Sequence, residues 1–215
     1  SALLTQGCSS IGQKHQTNTL SQLVVAEPLP INFKSEIAIA RLSEIIIRAE
    51  ISPEQRAQLL YDRGVLYDSV GLTTLSRLDF NHALRLKTDL IDAYNFLGIH
   101  YTQMQEFEQA YEKFDSTLEL SPKHEYAYFN RGIALYYGGR PQLAKNDFTT
   151  FYKRQANDPY RLLWLYFAEA KLDKVQAKTA LSHRAKLVDD KLWAKQLIQL
   201  YLGEMSQDDF IKGLT

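Results

Sequence analysis

The chain has 215 residues, 45% of them apolar, which is enough to bury a sizeable core and excludes wholesale disorder. Its 25 Lys and Arg balance 25 Asp and Glu, so an overall electrostatic pull toward nucleic acid or anionic lipid is not expected. A single cysteine, Cys8, excludes an intramolecular disulfide and a thiolate metal cluster.

The first residues, 1–23, read as a signal remnant followed by a tether. In LLTQGCSS at 3–10 an apolar stretch and a small residue precede Cys8, as at the cysteine that receives lipid in bacterial lipoproteins. Thr5 and Gln6 stand where such sequences usually place leucine and a small residue, and the alternative is an unmodified N-terminal thiol. With no initiator methionine or basic leader ahead of Ser1, the sequence reads as trimmed inside such a signal, and on that expectation it would carry no lipid in this form. Residues 9–20 are polar and aperiodic, the composition of a flexible tether. A second segment, 24–56, opens on Val24 and Val25 and is kept extended by Pro28 and Pro30. A helix is then expected over 36–49. Its wheel places Ala38, Ile39, Leu42, Ile45, Ile46 and Ala49 on one apolar face, and Ile37, Ala40 and Ile47 on a second strip. Leaving the two isoleucines of that strip in water forfeits roughly 1.5–3 kcal/mol of burial each, so a second surface is expected over them. A two-fold copy of the chain is the simplest source, which makes Ile37, Ala40 and Ile47 candidate dimer contacts. The alternative is that residues 24–29 fold back over the strip.

From 57 to 158 the chain repeats itself three times, and Gly64, Gly98 and Gly132 mark a period of 34 residues. Aligning 57–90, 91–124 and 125–158 stacks Leu60, Tyr94 and Tyr128 at place four, and Tyr67, Tyr101 and Leu135 at place eleven. Ser76, Ala110 and Ala144 share place twenty, and Phe80, Phe114 and Phe148 share place twenty-four. This is the tetratricopeptide (TPR) pattern, which predicts an all-α, right-handed superhelical solenoid of antiparallel helix pairs. Small residues at places eight and twenty let the backbones approach, and the large ones fill the space between. Ser52, Pro53 and Gln55 spell a capping box at the first helix start. That helix should run to about Val70, where Gly71 breaks it, and its partner from about Thr74 to Lys87. Later turns are expected near 104–106 and at Gly138-Gly139-Arg140-Pro141, with joints at Ser121-Pro122 and Asp158-Pro159.

Past Pro159 the pattern degenerates, since Tyr166 and Lys178 take the next glycine and small-residue slots. Residues 159–215 still read as helices: one around Leu162–Ala170 positions, one over 175–187, one ending before Gly203, and a short last helix opened by Ser206. Without a clearly polar capping helix, an array that ends there reads as cut short.

No constellation for chemistry is present. The five histidines fall at no metal-site spacing, Gly138-Gly139 is too short to cradle phosphate, and the paired aspartates at 189–190 and 208–209 read as helix N-terminal charges. No catalytic residue, metal or cofactor is expected. Binding is the better candidate, because the first helix of each repeat lines the inner wall of a solenoid. The wall positions are places two, five, nine and twelve: Gln58, Tyr61, Val65 and Asp68, then Asp92, Asn95, Ile99 and Thr102, then Tyr126, Phe129, Ile133 and Tyr136. Of these, Tyr61, Val65, Asp68, Asn95, Ile99, Tyr126, Phe129, Ile133 and Tyr136 are the candidate partner-binding residues. The alternative for each aromatic is that neighbouring helices cover it. TPR domains that grip acidic chaperone tails use Lys, Asn and Arg at set groove places; Tyr61, Val65, Phe96, Tyr126 and Asn130 stand there in this chain, which disfavours that role.

RAQLLYDRGVLYDS at 56–69 and NRGIALYYGGR at 130–140 closely resemble the new lipoprotein I (NlpI) family of Gram-negative bacteria. LWLY at 163–166 and YLG at 201–203 extend the likeness over about 24–203. The resemblance implies a dimeric lipoprotein anchored by Cys8 to the outer membrane, facing the periplasm, and Ser9 rather than aspartate after the cysteine fits outer-membrane sorting. It also implies a non-catalytic adaptor that brings peptidoglycan endopeptidases together with a tail-specific protease and so tunes cell-wall growth and division. Family members continue beyond this sequence with further repeat-like helices. The alternative function is a TPR lipoprotein of outer-membrane β-barrel assembly, its groove holding unfolded clients.

Overall fold

The computed structural model describes residues 33–213. Helix α1 (Phe33–Arg48) starts three residues before the expected position, because the last residue that bars a helix there is Pro30 and Ser35 does not act as a cap. Ser52 does cap α2 (Pro53–Ser69): its hydroxyl accepts from the Gln55 amide while the Gln55 side chain accepts from the Ser52 amide. The repeats then follow as α3 (Thr73–Leu86), α4 (Ile91–Gln103), α5 (Phe107–Leu120), α6 (Glu125–Tyr137) and α7 (Pro141–Lys153). Next come α8 (Pro159–Leu172), α9 (Lys174–Arg184), α10 (Trp193–Leu202) and α11 (Gln207–Lys212). Consecutive helices pack on one another, and α4 also touches α6. The chain is therefore an all-α stack of helix pairs of the TPR type.

The interior of each pair is one contact made three times. The place-eight glycine sits against the place-twenty-four phenylalanine so closely that a Cβ on Gly64, Gly98 or Gly132 would come within 2.8, 2.6 and 2.6 Å of the Phe80, Phe114 and Phe148 rings. All three phenylalanines are fully buried, as are Ser76, Ala110 and Ala144 one turn before them. Only glycine lets the ring lie flat on the opposing backbone.

The turns within the pairs also repeat. At place fifteen the backbone is left-handed, with φ of 80° at Gly71, 61° at Gln105 and 78° at Gly139. The next residue's amide then reaches back to a carbonyl five residues earlier: Leu72 to Tyr67 at 2.8 Å, Glu106 to Tyr101 at 2.9 Å and Arg140 to Leu135 at 2.8 Å. These bonds satisfy carbonyls that the helix end leaves open. In the second repeat a glutamine takes the conformation that glycine takes in the others.

Polar ties complete the first and third pairs. Arg63 holds Asp79 through two bonds of 2.6 and 2.7 Å and donates to Ser43 on α1 at 3.0 Å. Arg131 holds Asp147 at 2.8 Å through two donors and Asp115 on α5 at 2.7 Å. Each arginine thus joins its own pair to the helix before it, and bonding to Asp147 raises the Arg131 guanidinium above its ordinary range. The second pair has Leu97 and Lys113 at those two places, and Leu97 is fully buried.

Beyond the repeats, α8 and α9 form a fourth pair. The helix expected over 175–187 divides into α9 and a 3-10 turn, Ala185–Leu187. The Lys195 ammonium donates to the Ala185 and Val188 carbonyls at 2.5 and 3.2 Å, so those groups are satisfied without a continuing helix. Asp158 and Asp173 cap α8 and α9 by accepting amides of their first turns.

Candidate binding groove

The groove wall is built from α2, α4, α6 and α8, and its character changes along the stack. At the α2 end Tyr61 and Val65 are half-buried against the cluster around Phe80 and Leu97, with the Tyr61 ring 5.7 Å from Phe80. Burial holds the Tyr61 phenol above its usual pKa, so it is a neutral hydroxyl. Asp68 is not a free acceptor: His100 Nε2 from α4 lies 2.6 Å from its carboxylate, and the imidazole is 1% exposed. A second pair of the same sequence separation, Asp92 and His124, spans the next step at 3.2 Å. His124 Nδ1 accepts the Ala127 amide at 3.0 Å as the cap of α6, which leaves Nε2 to donate to Asp92. Asn95 accepts from Asn130 at 3.1 Å, and Ile99 is half-buried. Asp68, Asp92 and Asn95 are thus spent on joining successive helix pairs, whereas Gln58 and Thr102 bond within their own helices, to Asp62 and to the Gly98 carbonyl.

The α6 stretch is aromatic. Tyr126 is 59% exposed, the most open of the wall aromatics. Phe129 is stacked on Phe151 at 4.7 Å and meets the Trp164 edge at 5.9 Å, so it belongs as much to the core as to the wall. Ile133 and Tyr136 are half-buried; Tyr136 meets Trp164 edge-on at 6.2 Å and carries the Lys171 ammonium 5.6 Å above its ring.

The last stretch was not legible in the repeat pattern. Helix α10 lies against α8, where the Tyr160 ring lies 6.2 Å from Trp193 and Phe167 lies 5.2 Å from Tyr201. Leu163, at a wall place, is consequently buried. Between α6, α8, α9, α10 and α11 a cavity of about 620 Å³ remains, lined by Tyr136, Phe167, Tyr201 and Gln207 together with Lys171, Lys174 and Lys178. Sequence reasoning missed Trp164, Phe167, Tyr201 and these lysines; the available signal was that Phe167 continues the place-nine series of Val65, Ile99 and Ile133.

On α1, Ile46 is buried and Leu42 packs with it against Leu60 and Ala83. Ile45, expected on the packed face, is instead 42% exposed, because the face that meets α2 is narrower than the apolar arc of the wheel. The three candidate dimer residues are on the open side: Ile37 is 37% and Ile47 78% exposed, and Ala40 is exposed. Cys8 lies outside the described residues. Among the described residues no helix is long and apolar enough to cross a membrane, and no three His, Cys, Asp or Glu side chains converge as a metal site.

No family model matches the chain. Its fold is similar to crystal structures of MamA, a TPR-repeat protein. One superimposes with a TM-score of 0.63 at 18% identity, covering 71% of this chain and 88% of that one. Another gives 0.64 at 17% identity, covering 72% and 82%. MamA from Desulfovibrio magneticus, residue 41 to its end, gives 0.54 at 16% identity over 74% and 95%. This likeness shows a TPR-type architecture.

Proposed function

We propose that this chain is a non-catalytic adaptor whose concave wall holds segments of partner proteins. The observation that supports it is the aromatic centre of the wall: Tyr126, its ring 5.9 Å from Phe151, still stands 59% exposed beside half-buried Phe129 and Tyr136. The resemblance of residues 24–203 to the NlpI family names the partners. On that reading they are peptidoglycan endopeptidases and a tail-specific protease, met at the periplasmic face of the outer membrane by a protein tethered through acylated Cys8. The open strip of Ile37, Ala40 and Ile47 is the surface on which two copies would pair.

Capture of partners from envelope extract by the full-length lipidated protein tests the reading. Cell-wall hydrolases and a protease should be recovered, and recovery should fall when Tyr126 and Tyr136 are replaced by alanine. Recovery of barrel-assembly factors and unfolded barrel proteins in their place would favour the assembly role instead. For the pairing, Ile37→Asp with Ile47→Asp should halve the molar mass seen by light scattering at micromolar concentration; an unchanged mass removes α1 as the contact.

A further inference from the structure

The cavity at the far end of the wall differs from the rest of the groove in charge. Lys171 lies in the last turn of α8, Lys174 opens α9, and Lys178 stands one turn later on the same face, so three lysines line one cavity. Among the described residues no carboxylate lines the cavity. The carboxylates nearest in sequence are already engaged. Asp173 accepts the Val175 and Gln176 amides at 2.9 and 3.0 Å, and Glu169 is held by Arg184 at 2.7 and 3.1 Å. Among the described residues neither Lys174 nor Lys178 has a hydrogen bond or an ion pair, and the contact of Lys171 is with the Tyr136 ring. Like charges gathered on one helix face cost stability unless an anion neutralises them. The floor is apolar and aromatic, and the cavity has the size of a small-ligand or side-chain pocket. Burial raises the Tyr136 and Tyr166 phenols further above their ordinary range, and both are hydrogen-bond donors.

We propose that this cavity docks an acidic segment of a partner protein, its carboxylates paired with Lys171, Lys174 and Lys178 and one aromatic or aliphatic side chain laid on Phe167 and Tyr201. The combination selects the occupant. A bare anion would leave the aromatic floor unused, and a neutral apolar peptide would leave three lysines unpaired. The inference rests on reading the wall as a protein-binding surface and names the chemistry of what binds at one end of it.

The test is fluorescence anisotropy with fluorescein-labelled Glu-Glu-Phe-Glu-Glu-Phe-Glu-Glu and its control, in which glutamine replaces every glutamate. The acidic peptide should bind saturably and more weakly as salt rises, and the control should bind at least roughly tenfold more weakly, as follows from losing several exposed ion pairs. Lys171→Gln with Lys174→Gln and Lys178→Gln should erase the difference between the two peptides, and Phe167→Ala should weaken both. Equal binding of the two peptides, or full discrimination retained in the triple variant, overturns the proposal. The triple variant's lysines are at the surface, and its circular dichroism should match the parent. If the peptide fails to bind while Tyr126→Ala with Tyr136→Ala lowers capture of partners from extract, the acidic-segment inference falls and the adaptor reading stands.

Discussion

The interior seams of the helix pairs and the groove wall are made by the same repeats, yet one is uniform and the other is not. Glycine on phenylalanine recurs at Gly64–Phe80, Gly98–Phe114 and Gly132–Phe148 with almost the same closeness each time. Along the wall, by contrast, Asp68 and Asp92 at one end give way to Tyr126 and Phe129 and then to Lys171, which is joined at the last cavity by Lys174 and Lys178 of α9. In these three pairs one packing problem recurs, so the seam has little freedom. The wall is held less uniformly: Asp68, Asp92 and Asn95 tie successive pairs together, while Tyr126 stands open.

The comparison breaks first at the seam. Phe114→Ala should cost about 3–5 kcal/mol, the usual loss for emptying a fully buried aromatic site. Gly98→Ala is a sharper test because two effects oppose each other. Helix propensity alone favours alanine by about 1 kcal/mol, whereas the added methyl meets the Phe114 ring at 2.6 Å and overpacking costs roughly 1–3 kcal/mol. The account expects the clash to win and the melting temperature to fall. At the wall, Tyr126→Ala should stay within about 0.5 kcal/mol in the same melt, as exposed substitutions do.

The ion-paired seams of the first and third repeats come next. Arg131→Leu should cost about 1–3 kcal/mol by leaving buried Asp147 without its donor. Adding Asp147→Lys recreates the pair that the second repeat uses, Leu97 with Lys113, and should recover part of that loss. A double variant less stable than the single one by denaturant unfolding would show that the second repeat's solution does not transfer.

The smallest effect is expected at the turn. Gln105→Gly should stabilise the chain by up to about 1 kcal/mol, because glutamine at φ 61° carries a left-handed penalty that glycine does not. The same change at any other exposed glutamine of a helix should destabilise, which makes the sign of the effect the readout.

The uniform part of the molecule was legible in the sequence and the variable part was not. A period of 34, the place-eight glycines and the Ser52 capping box each express a local rule that one chain states three times or in four adjacent residues. The left-handed turn at Gln105 was hidden because glutamine does not announce that conformation. Helix α10 was readable as apolar from Leu197, Ile198 and Tyr201, but it lies outside the period, so nothing in its own residues said that Tyr201 would meet Phe167 on the groove side of α8. The half-core status of Phe129 was hidden for a related reason: its stacking partner Phe151 and edge partner Trp164 come from two later helices.

The central claim is that, within the three repeats, partners are held by the first helices α2, α4 and α6 rather than by α3, α5 and α7. It is tested most directly by placing a photo-crosslinking phenylalanine analogue at Tyr126 on α6, or at exposed Glu112 on α5, in the full-length protein in cells. The account predicts partner adducts from the Tyr126 position and few from Glu112. Adducts from Glu112 with none from Tyr126 would contradict it and move the binding surface to the outer helices.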